Sequence, residues 1–413
     1  MVTPPDIDLL SATTFADGHP AELYQWLRAN DPVHWHEEPG GAGFWAVTGF
    51  EEVRRVGREH ETFSSEPTIM ISDPADPADD PDASAILGDH KMMLMADPPY
   101  HTRLRRLISS DFTPRNVRQL TERVEGLAVA IIDEVIERGE CDLVSDLAGE
   151  MPSYLIADLM GLPLEDGREL YKLTEILHSS GDAVTTEQRR QAQTEMFTYA
   201  AEVYGKKSAE PGEDLSTRII NAEVDGEQLD MIDFALFFML LVDAGGDTTR
   251  NLVSGGMLEL LRDDEQMAAL RSNLDGLLGN AIEEMLRFVS PVIYMRRTAT
   301  AATTLGGKDI AVGDKVVMYY GAANRDPTIF TDPDRFDITR PNAADHLAFG
   351  GGGPHFCLGA NLARLEIDAL LRQILLRLPE LELAGPTPYL ASTFISGPTA
   401  MPVRFAVGQR IGG

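Results

Sequence analysis

Residues 349–359 read Phe349-Gly350-Gly351-Gly352-Gly353-Pro354-His355-Phe356-Cys357-Leu358-Gly359, and an apolar segment with the spacing of a helix follows. Because glycines lack a Cβ, the backbone can turn tightly in this loop and approach a flat ligand closely. The loop brings one thiol, that of Cys357, to the start of the predicted helix. A helix N-terminus and nearby cations lower the pKa of a thiol and favour the thiolate, the form that binds metals. The stretch therefore predicts a sulfur ligand for a metal.

Other interpretations of this loop fail on spacing or stay open. A dinucleotide-binding fingerprint lacks its third glycine, and a phosphate-binding loop lacks its Gly-Lys-Ser/Thr ending. A structural zinc site lacks further ligands, since the other cysteine, Cys141, is distant. A cysteine nucleophile activated by His355, or a small buried cysteine in a turn, is compatible with the loop taken alone.

The composition is that of an acidic chain large enough for a substantial core. It has 413 residues, 43% of them hydrophobic, and a formal net charge of -31. Nucleic-acid-binding proteins need a basic surface, so this charge argues against that class. No apolar run reaches the roughly 20 residues that span a bilayer, and Met1 to Leu10 are too acidic and too interrupted by proline for a signal peptide. Two cysteines give no disulfide framework, and we expect a cytoplasmic protein.

Hydrophobic periodicity predicts a mainly helical chain with small β-sheets. Residues 62–96 are rich in proline and aspartate, which is typical of a loop. We find neither a repeat nor a linker, so we expect one domain, 1–413. The other predicted elements are a helix at Pro20–Asn30, strands at Val33–His36 and Phe44–Val47, a helix from Phe50 onward, chiefly helices from Pro98 to Leu378, and strands at Lys315–Tyr320 and Met401–Val407.

The longest predicted helix runs from Asp230 to Leu261, roughly 48 Å at 1.5 Å per residue. Its apolar stretch is interrupted by Asp243-Ala244-Gly245-Gly246-Asp247-Thr248-Thr249, where two glycines lower helix stability and two carboxylates enter a buried face. One interpretation makes Asp247 the N-cap of a separate second helix. Local rules broken in this way are typical of functional sites, which is the other interpretation.

The loop at 349–359 resembles the haem-binding signature of the cytochrome P-450 family, in which a lone cysteine thiolate is the proximal iron ligand. The resemblance makes Cys357 the ligand of haem b and places Phe349, Gly351 and Gly359 around the cofactor. This loop has one residue more between phenylalanine and cysteine than the usual pattern, as in a subset of bacterial members. The resemblance implies the family's fold, a triangular helical domain with a minor β-rich region.

The interrupted long helix is similar to the distal helix of that family, which crosses the haem face opposite the thiolate. Ala244 and Gly245 then leave room for dioxygen, and Asp247 and Thr248 resemble the acid and alcohol pair that relays protons to it. A carboxyl with a raised pKa beside a hydroxyl suits proton delivery near neutral pH. Asp243 stands where related members often have an apolar residue, and we expect it at the pocket edge or paired with an arginine.

Two further sets of residues match the family in order and spacing. Four of them resemble the partners of the haem propionates, namely His101, Arg105, Arg297 and His355. Guanidinium groups suit carboxylates in charge and in fork geometry. Three others resemble the family's buried network behind the haem loop, a structural role, and these are Glu284, Arg287 and Arg335.

The longer loop and the sequence around the distal helix look like the bacterial clade that hydroxylates methyl-branched lipids and sterol side chains. The substrate-pocket positions carried over by this resemblance are Met92, Met93, Leu94, Phe238, Leu240, Asp243, Ile293, Phe394 and Ile395. Most are apolar, as a pocket for hydrocarbons requires. Methionines and aromatics at helical spacing are also typical of ordinary core.

The resemblance implies a haem-thiolate monooxygenase that inserts one oxygen atom of O2 into a C–H bond of an apolar small molecule such as a lipid, terpene or steroid. We find no flavin or iron-sulfur module in the chain, so we expect electrons from a separate ferredoxin or flavodoxin with its reductase. A positive patch for this partner would contain Arg103, Arg105, Arg106 and Arg364. Two alternatives stay open: a haem-thiolate enzyme of a biosynthetic pathway that performs epoxidation, C–C coupling or dehydration, and a haem protein that binds a ligand without turnover.

Overall fold

The computed structural model describes residues 7–72, 87–179, 184–224 and 226–412, and helices make up most of its regular structure. In chain order they are α1 (Ala21–Asn30), α2 (Phe50–Arg58), α3 (Tyr100–Ser109), α4 (Pro114–Val117), α5 (Thr121–Val135), α6 (Glu150–Met160), α7 (Leu164–His178), α8 (Thr186–Ala209), α9 (Leu215–Ile220), α10 (Met231–Leu261), α11 (Asp264–Ser272), α12 (Leu274–Val289), α13 (Tyr320–Ala323) and α14 (Ala360–Arg377). The predicted architecture, mainly α with small sheets, is confirmed.

The strands are short and belong to small sheets. They are β1 (Val33–His36), β2 (Phe44–Val47), β3 (Phe63–Ser64), β4 (Glu140–Asp142), β5 (Glu223–Val224), β6 (Glu227–Gln228), β7 (Tyr294–Ala299), β8 (Thr303–Leu305), β9 (Lys308–Ile310), β10 (Lys315–Tyr319), β11 (Glu382–Leu383) and β12 (Pro402–Arg404). The largest sheet has five strands in the order β1-β2-β10-β7-β3, in which only β2 and β10 are parallel. In it β7 places Arg297 opposite Val316 of β10.

Several sequence predictions agree with these bounds. The helix at 20–30, the strands at 33–36 and 44–47 and the strand from 315 are confirmed within one residue. The strand predicted at 401–407 is shorter and covers Pro402–Arg404. The predicted loop at 62–96 contains β3 and a 3-10 helix at Met93–Met95, and its stretch 73–86 lies outside the described residues.

The long helix α10 is continuous and buried along most of its length. The carboxylate of Asp230 accepts hydrogen bonds from the N–H groups of Ile232 and Asp233, and Asp233 in turn accepts from the N–H of Asp230, so a capping box begins the helix. Asp247 lies in the helix interior, so its interpretation as the N-cap of a second helix is wrong. Packing of α10 against α6, α7, α8 and α12 keeps the glycine-containing segment helical.

The apolar core forms one large cluster among the helices and two smaller clusters beside the five-stranded sheet. Helix α14 packs on α5 and α12, and so fixes the position of the loop that precedes it. Among the described residues, none of the helices combines the length and the apolarity that crossing a membrane requires.

A buried ion-pair network joins α12 to the segment before the Cys357 loop. The fully buried carboxylate of Glu284 accepts from Arg287 at 2.7 and 2.8 Å and from Arg340 Nε at 3.0 and 3.1 Å. The side chain of Arg335 is exposed, and only its carbonyl oxygen takes part, as an acceptor from both arginines. The prediction of Arg335 as the third member is therefore wrong. Burial alternates along residues 336–340, which turns Arg340 inward instead.

Candidate active site around Cys357

Glycine conformations shape the loop that carries Cys357. Gly350 and Gly352 have φ of +94° and +95°, a region that glycine adopts without strain. Gly351 packs against α2, where a Cβ would lie 2.9 Å from the Cα of Arg54. The predicted place of Gly351 beside the cofactor is wrong, because its close approach is to a helix and not to the cavity that Cys357 lines.

A large cavity, called the central cavity below, is lined by both this loop and α10. It holds about 1800 Å³ of empty space, part of it open to solvent. Its wall includes Cys357, Phe349, His355 and Gly359 from the loop and Ala244, Gly245 and Thr248 from α10. The structure thus brings the expected thiolate ligand and the expected oxygen site to the wall of one cavity.

The surroundings of the Cys357 sulfur suit a metal ligand. Burial raises the pKa of the thiol, while hydrogen bonds from the backbone N–H groups of Gly359 and Ala360 and the positive charges of Arg105 and Arg364 act in the opposite direction. These N–H groups and cations stabilise a thiolate once it forms. A metal ion that binds such a sulfur removes its proton outright.

Two histidines meet beside this sulfur. The rings of His101 and His355 are 4.1 Å apart between centroids, and His355 Nε2 lies 2.9 Å from Ser65 Oγ. Burial, with the charges of nearby arginines, lowers the pKa of His101 to about 4 and that of His355 to about 2. A histidine with so low a pKa is a poor base at neutral pH, which argues against the cysteine nucleophile.

Two arginines on the cavity wall have no carboxylate partner among the described residues. Arg105 Nη2 donates to the carbonyl of Phe356 at 2.6 Å, and Arg297 Nη1 donates to the carbonyl of Arg296 at 2.8 Å. The Nδ1 atom of His101 is buried and has no hydrogen-bond partner among the residues that the structure describes. Such cations and orphaned donors fit a ligand that brings its own carboxylates, as haem brings its propionates. The residues present thus fit haem b.

The proposed relay pair splits between the cavity and the protein interior. Thr248 lines the cavity, and its hydroxyl donates to the carbonyl of Ala244 at 3.0 Å. Asp247 faces away, because adjacent helix positions are about 100° apart. Its side chain is fully buried and bonded to Nδ1 of His178. Burial raises the pKa of Asp247, and this hydrogen bond opposes the effect.

His178, the last residue of α7, connects the two carboxylates of α10. Its Nδ1 binds Asp247, and its Nε2 lies 3.1 Å from Oδ1 of Asp243. One imidazole reaches both, because the two aspartates are one helical turn apart. Burial alone would lower the pKa of His178, but the carboxylates outweigh burial and raise it to about 10, so the ring is an imidazolium at neutral pH. Asp243 does lie on the cavity wall, paired with a histidine and not with an arginine.

Two residues near the cavity were not found by sequence reasoning. His178 is an isolated histidine at the end of a helix, and no local pattern links it to α10. Glu366 of α14 lies on the cavity wall and accepts a hydrogen bond from Thr249 at 3.1 Å. Burial raises its pKa to about 8. Its place nine residues after Cys357, on an apolar helix, was the signal that could have found it.

Six of the nine predicted pocket residues line the central cavity: Met93, Leu94, Leu240, Asp243, Phe394 and Ile395. Met92, Phe238 and Ile293 do not, and their prediction is wrong. Met92 packs against the helical core. Phe238 is buried with its ring against Tyr199, on another face of α10. Ile293 is fully buried beneath the sheet, and its N–H donates to the carbonyl of Phe394, so it supports the cavity wall from behind.

Comparisons with known proteins agree with this geometry. Residues 68–383 match the family model Cytochrome P450. The methyl-branched lipid omega-hydroxylase of Mycobacterium tuberculosis (strain ATCC 25618 / H37Rv) is 38% identical over 392 residues, 92% of this chain and 90% of that protein. The steroid C26-monooxygenase of Mycolicibacterium smegmatis is 37% identical over 411 residues, 98% of this chain and 97% of that protein. A solved structure of Mycobacterium marinum cytochrome P450 CYP268A2 in complex with pseudoionone superimposes with a TM-score of 0.88 at 34% identity, over 98% of this chain and 100% of that one.

Proposed function

We propose a substrate class for this chain, which belongs to the cytochrome P450 family and is a haem-thiolate monooxygenase. It hydroxylates an aliphatic C–H bond of a branched lipid, terpene or steroid-like side chain. The observation that carries the proposal is the apolar wall next to Ala244 and Gly245, where Leu240, Phe394 and Ile395 face the cavity. An apolar wall beside the oxygen site favours a hydrocarbon part of the substrate there. The relatives named for lipid and steroid hydroxylation support the same class.

The chain's own residues bind the cofactor in this proposal. Bound haem supplies the activation of O2, which with two electrons and two protons gives a hydroxylated product and water. Cys357 gives the iron its sulfur ligand, and the four donors His101, Arg105, Arg297 and His355 bind the propionates. Residues 1–413 act as a single domain.

Protons reach the cavity through α10 in this proposal. Burial raises the pKa of the Asp247 carboxyl, whereas its bond to the His178 imidazolium lowers it, so the carboxyl gains a proton more readily when it is not bound to that ring. When its side chain leaves Nδ1 of His178, it can pass that proton toward Oγ1 of Thr248, the hydroxyl on the cavity wall. Apolar side chains around the cavity limit the entry of other water.

The electron donor in this proposal is a ferredoxin or a flavodoxin with its reductase. Four arginines are expected to dock this donor. Nη2 of Arg364 is bound to Oε2 of Glu283 at 2.8 Å, and Arg105 lies on the wall of the central cavity. Arg103 and Arg106 border a smaller surface depression beside them. Product formation with each purified donor in turn, at low and at high salt, tests the choice, because a charge-steered contact weakens as salt rises.

Cysteine ligation is tested by the reduced, carbon-monoxide-bound spectrum. We expect a Soret band at the position typical of cysteine-ligated haem, lost in Cys357→Ala. The chain offers a matched control in Cys141→Ala, because Cys141 lies in β4, away from the cavity wall. A band that survives in Cys357→Ala, or a wild-type protein that binds no haem, contradicts the proposed ligand.

The substrate class is tested by a spectral-shift screen of the ferric protein over fatty acids, branched lipids, terpenes and sterols. Ligands that displace water from the iron are then incubated with donor and NAD(P)H, and the products are identified by mass spectrometry. Hydroxylated aliphatic carbons are expected. Epoxides, coupled products or binding without any turnover would refute hydroxylation and favour the other haem-protein functions.

A further inference from the structure

Asp243 places a carboxylate in a mostly apolar part of the central cavity. Its side chain keeps 39% of its surface exposed, and the wall of the same cavity includes the apolar side chains of Leu94, Leu240, Phe394 and Ile395. Its Oδ1 is bonded to His178, and nothing among the described residues is bonded to its Oδ2. Because this side chain is partly exposed, water can solvate its free oxygen, and a ligand hydroxyl can replace that water with a hydrogen bond to a charged acceptor.

We propose that Asp243 is a specificity-determining residue that accepts a hydrogen bond from a hydroxyl group of the substrate. The enzyme then takes an alcohol in preference to the bare hydrocarbon or the ketone, and it oxidises a carbon close to that hydroxyl. This inference rests on the proposed function and narrows its substrate class.

The charges around Asp243 select a neutral donor. The imidazolium of His178 lies on the cavity wall, with Nε2 3.1 Å from Oδ1 of Asp243. A substrate ammonium would meet this cation, whereas a hydroxyl carries no charge. An ionised carboxylate accepts hydrogen bonds and donates none, so it rejects a ketone oxygen at the same place.

The position of Asp243 along α10 sets the distance to the reaction. It directly precedes Ala244, so their Cα atoms are about 3.8 Å apart, and Ala244 with Gly245 borders the expected oxygen site. His178 acts as a positioning residue, because its bond to Oδ1 holds the Asp243 carboxylate in place on the cavity wall. A hydroxyl bound to Asp243 therefore lies within a few carbons of the carbon that is oxidised.

The test uses three ligands on one ring: cyclododecane, cyclododecanol and cyclododecanone. The alcohol and the ketone match in size, and the ring has no preferred end. Affinities of the ferric holoenzyme are measured by spectral shift and by calorimetry. A hydrogen bond to a charged acceptor predicts that the alcohol binds about tenfold more tightly than the ketone or the hydrocarbon. Products of cyclododecanol are expected to carry the new hydroxyl on ring carbons near the first.

Two variants carry the test. Asp243→Leu removes the acceptor, and we expect the tenfold preference for the alcohol to vanish while cyclododecane binds more tightly. Asp243→Asn keeps the shape of the side chain and an accepting oxygen but removes the charge, so we expect a smaller preference for the alcohol. If the leucine variant does not bind haem, the asparagine variant alone tests the role of Asp243. The matched control is Glu259→Gln, an acid of the same helix outside the cavity wall, where the preference stays.

Each outcome decides between the inference and the function. A wild-type enzyme that hydroxylates cyclododecane but shows no preference for the alcohol overturns the inference and leaves the proposed function standing. The same holds if the preference survives unchanged in both Asp243 variants. Failure of all three ligands to bind, in a protein with the cysteine-ligated spectrum, overturns the inference, and absence of that spectrum overturns the proposed function as well.

Discussion

Replacing Arg340 by alanine tests the buried network that the fold places behind the Cys357 loop. The guanidinium of Arg340 donates to both oxygens of Glu284, and it also donates to three backbone carbonyls in residues 331–335. Its removal takes one donor from each of these carbonyls and leaves the fully buried Glu284 with Arg287 as its only cation among the described residues.

The expected loss follows from the burial of these charges. Removing one partner of a buried ion pair costs about 3–5 kcal/mol, since the remaining charge is uncompensated. Because Arg287 stays in place, we expect the lower end for Arg340→Ala, about 3 kcal/mol, a large part of the 5–15 kcal/mol by which folded domains are stable. Arg335 is exposed, so Arg335→Ala is expected to cost about 0.5 kcal/mol or less.

Urea unfolding of the holoprotein, followed by far-UV circular dichroism and by the Soret band, measures both costs. Arg340→Lys is a useful third variant, because it keeps the charge but lacks the Nη groups that donate to the backbone carbonyls while Nε contacts Glu284, and an intermediate loss is expected. Equal losses for Arg335→Ala and Arg340→Ala, or a loss below about 1 kcal/mol for Arg340→Ala, would show that the network has been assigned to the wrong arginine.

Three further predictions concern protons. Thr248→Ala should divert electrons to hydrogen peroxide while substrate binding persists. Peroxide and product are measured together, and an unchanged ratio of product to electrons consumed would contradict the relay. His178→Gln removes the cation next to Asp247, which should raise the pKa of Asp247 and shift the part of the pH–activity profile that depends on it to higher pH. The carbon-monoxide spectrum should stay unchanged, and an unchanged pH–activity profile would contradict this prediction. Burial would raise the pKa of Glu283, but hydrogen bonds from Arg364 and His346 lower it to about 2, so its stabilisation is present above about pH 4.5 and is lost as pH falls toward 2. Glu283→Gln should therefore lower urea midpoints at pH 7 and lose that effect near pH 2, whereas a loss that does not depend on pH would exclude the ion pairs as its cause.

Local signals predicted the elements that local interactions determine. The bounds of α10 were predicted within one residue, because a capping box begins the helix and apolar periodicity continues through it. Strand β7 falls in the stretch for which the sequence predicts chiefly helices, and that prediction is wrong for residues 294–299. Its pairing with β3 joins residues more than 230 positions apart, and no window of sequence contains both.

The residues of the site show the same difference between local and long-range signals. Cys357 and the four residues predicted to bind the propionates belong to short motifs, so resemblance alone grouped residues that the structure places on one cavity wall. Two predictions were wrong by a few positions: Arg335 was named in place of Arg340, and Gly351 was placed beside the cofactor. In both cases the folded turn determines which of several neighbouring residues points inward, and the sequence pattern does not. His178 carries no motif at all, since its role depends on where α7 ends against α10.

The two aspartates on one turn of α10 differ in how fully the protein satisfies them. Asp247 is fully buried, with His178 and Thr174 as hydrogen-bond partners and Arg250 within 3.7 Å. Asp243 shares the same histidine but keeps one oxygen without a partner among the described residues, on the wall of the cavity. A satisfied buried carboxylate stabilises the arrangement around it, whereas a partly exposed carboxylate on a cavity wall can exchange its water for a hydrogen bond from a ligand. The same imidazolium is bonded to both acids, so a substrate hydroxyl that binds Asp243, as we propose, would meet a carboxylate whose other partner is also the partner of Asp247.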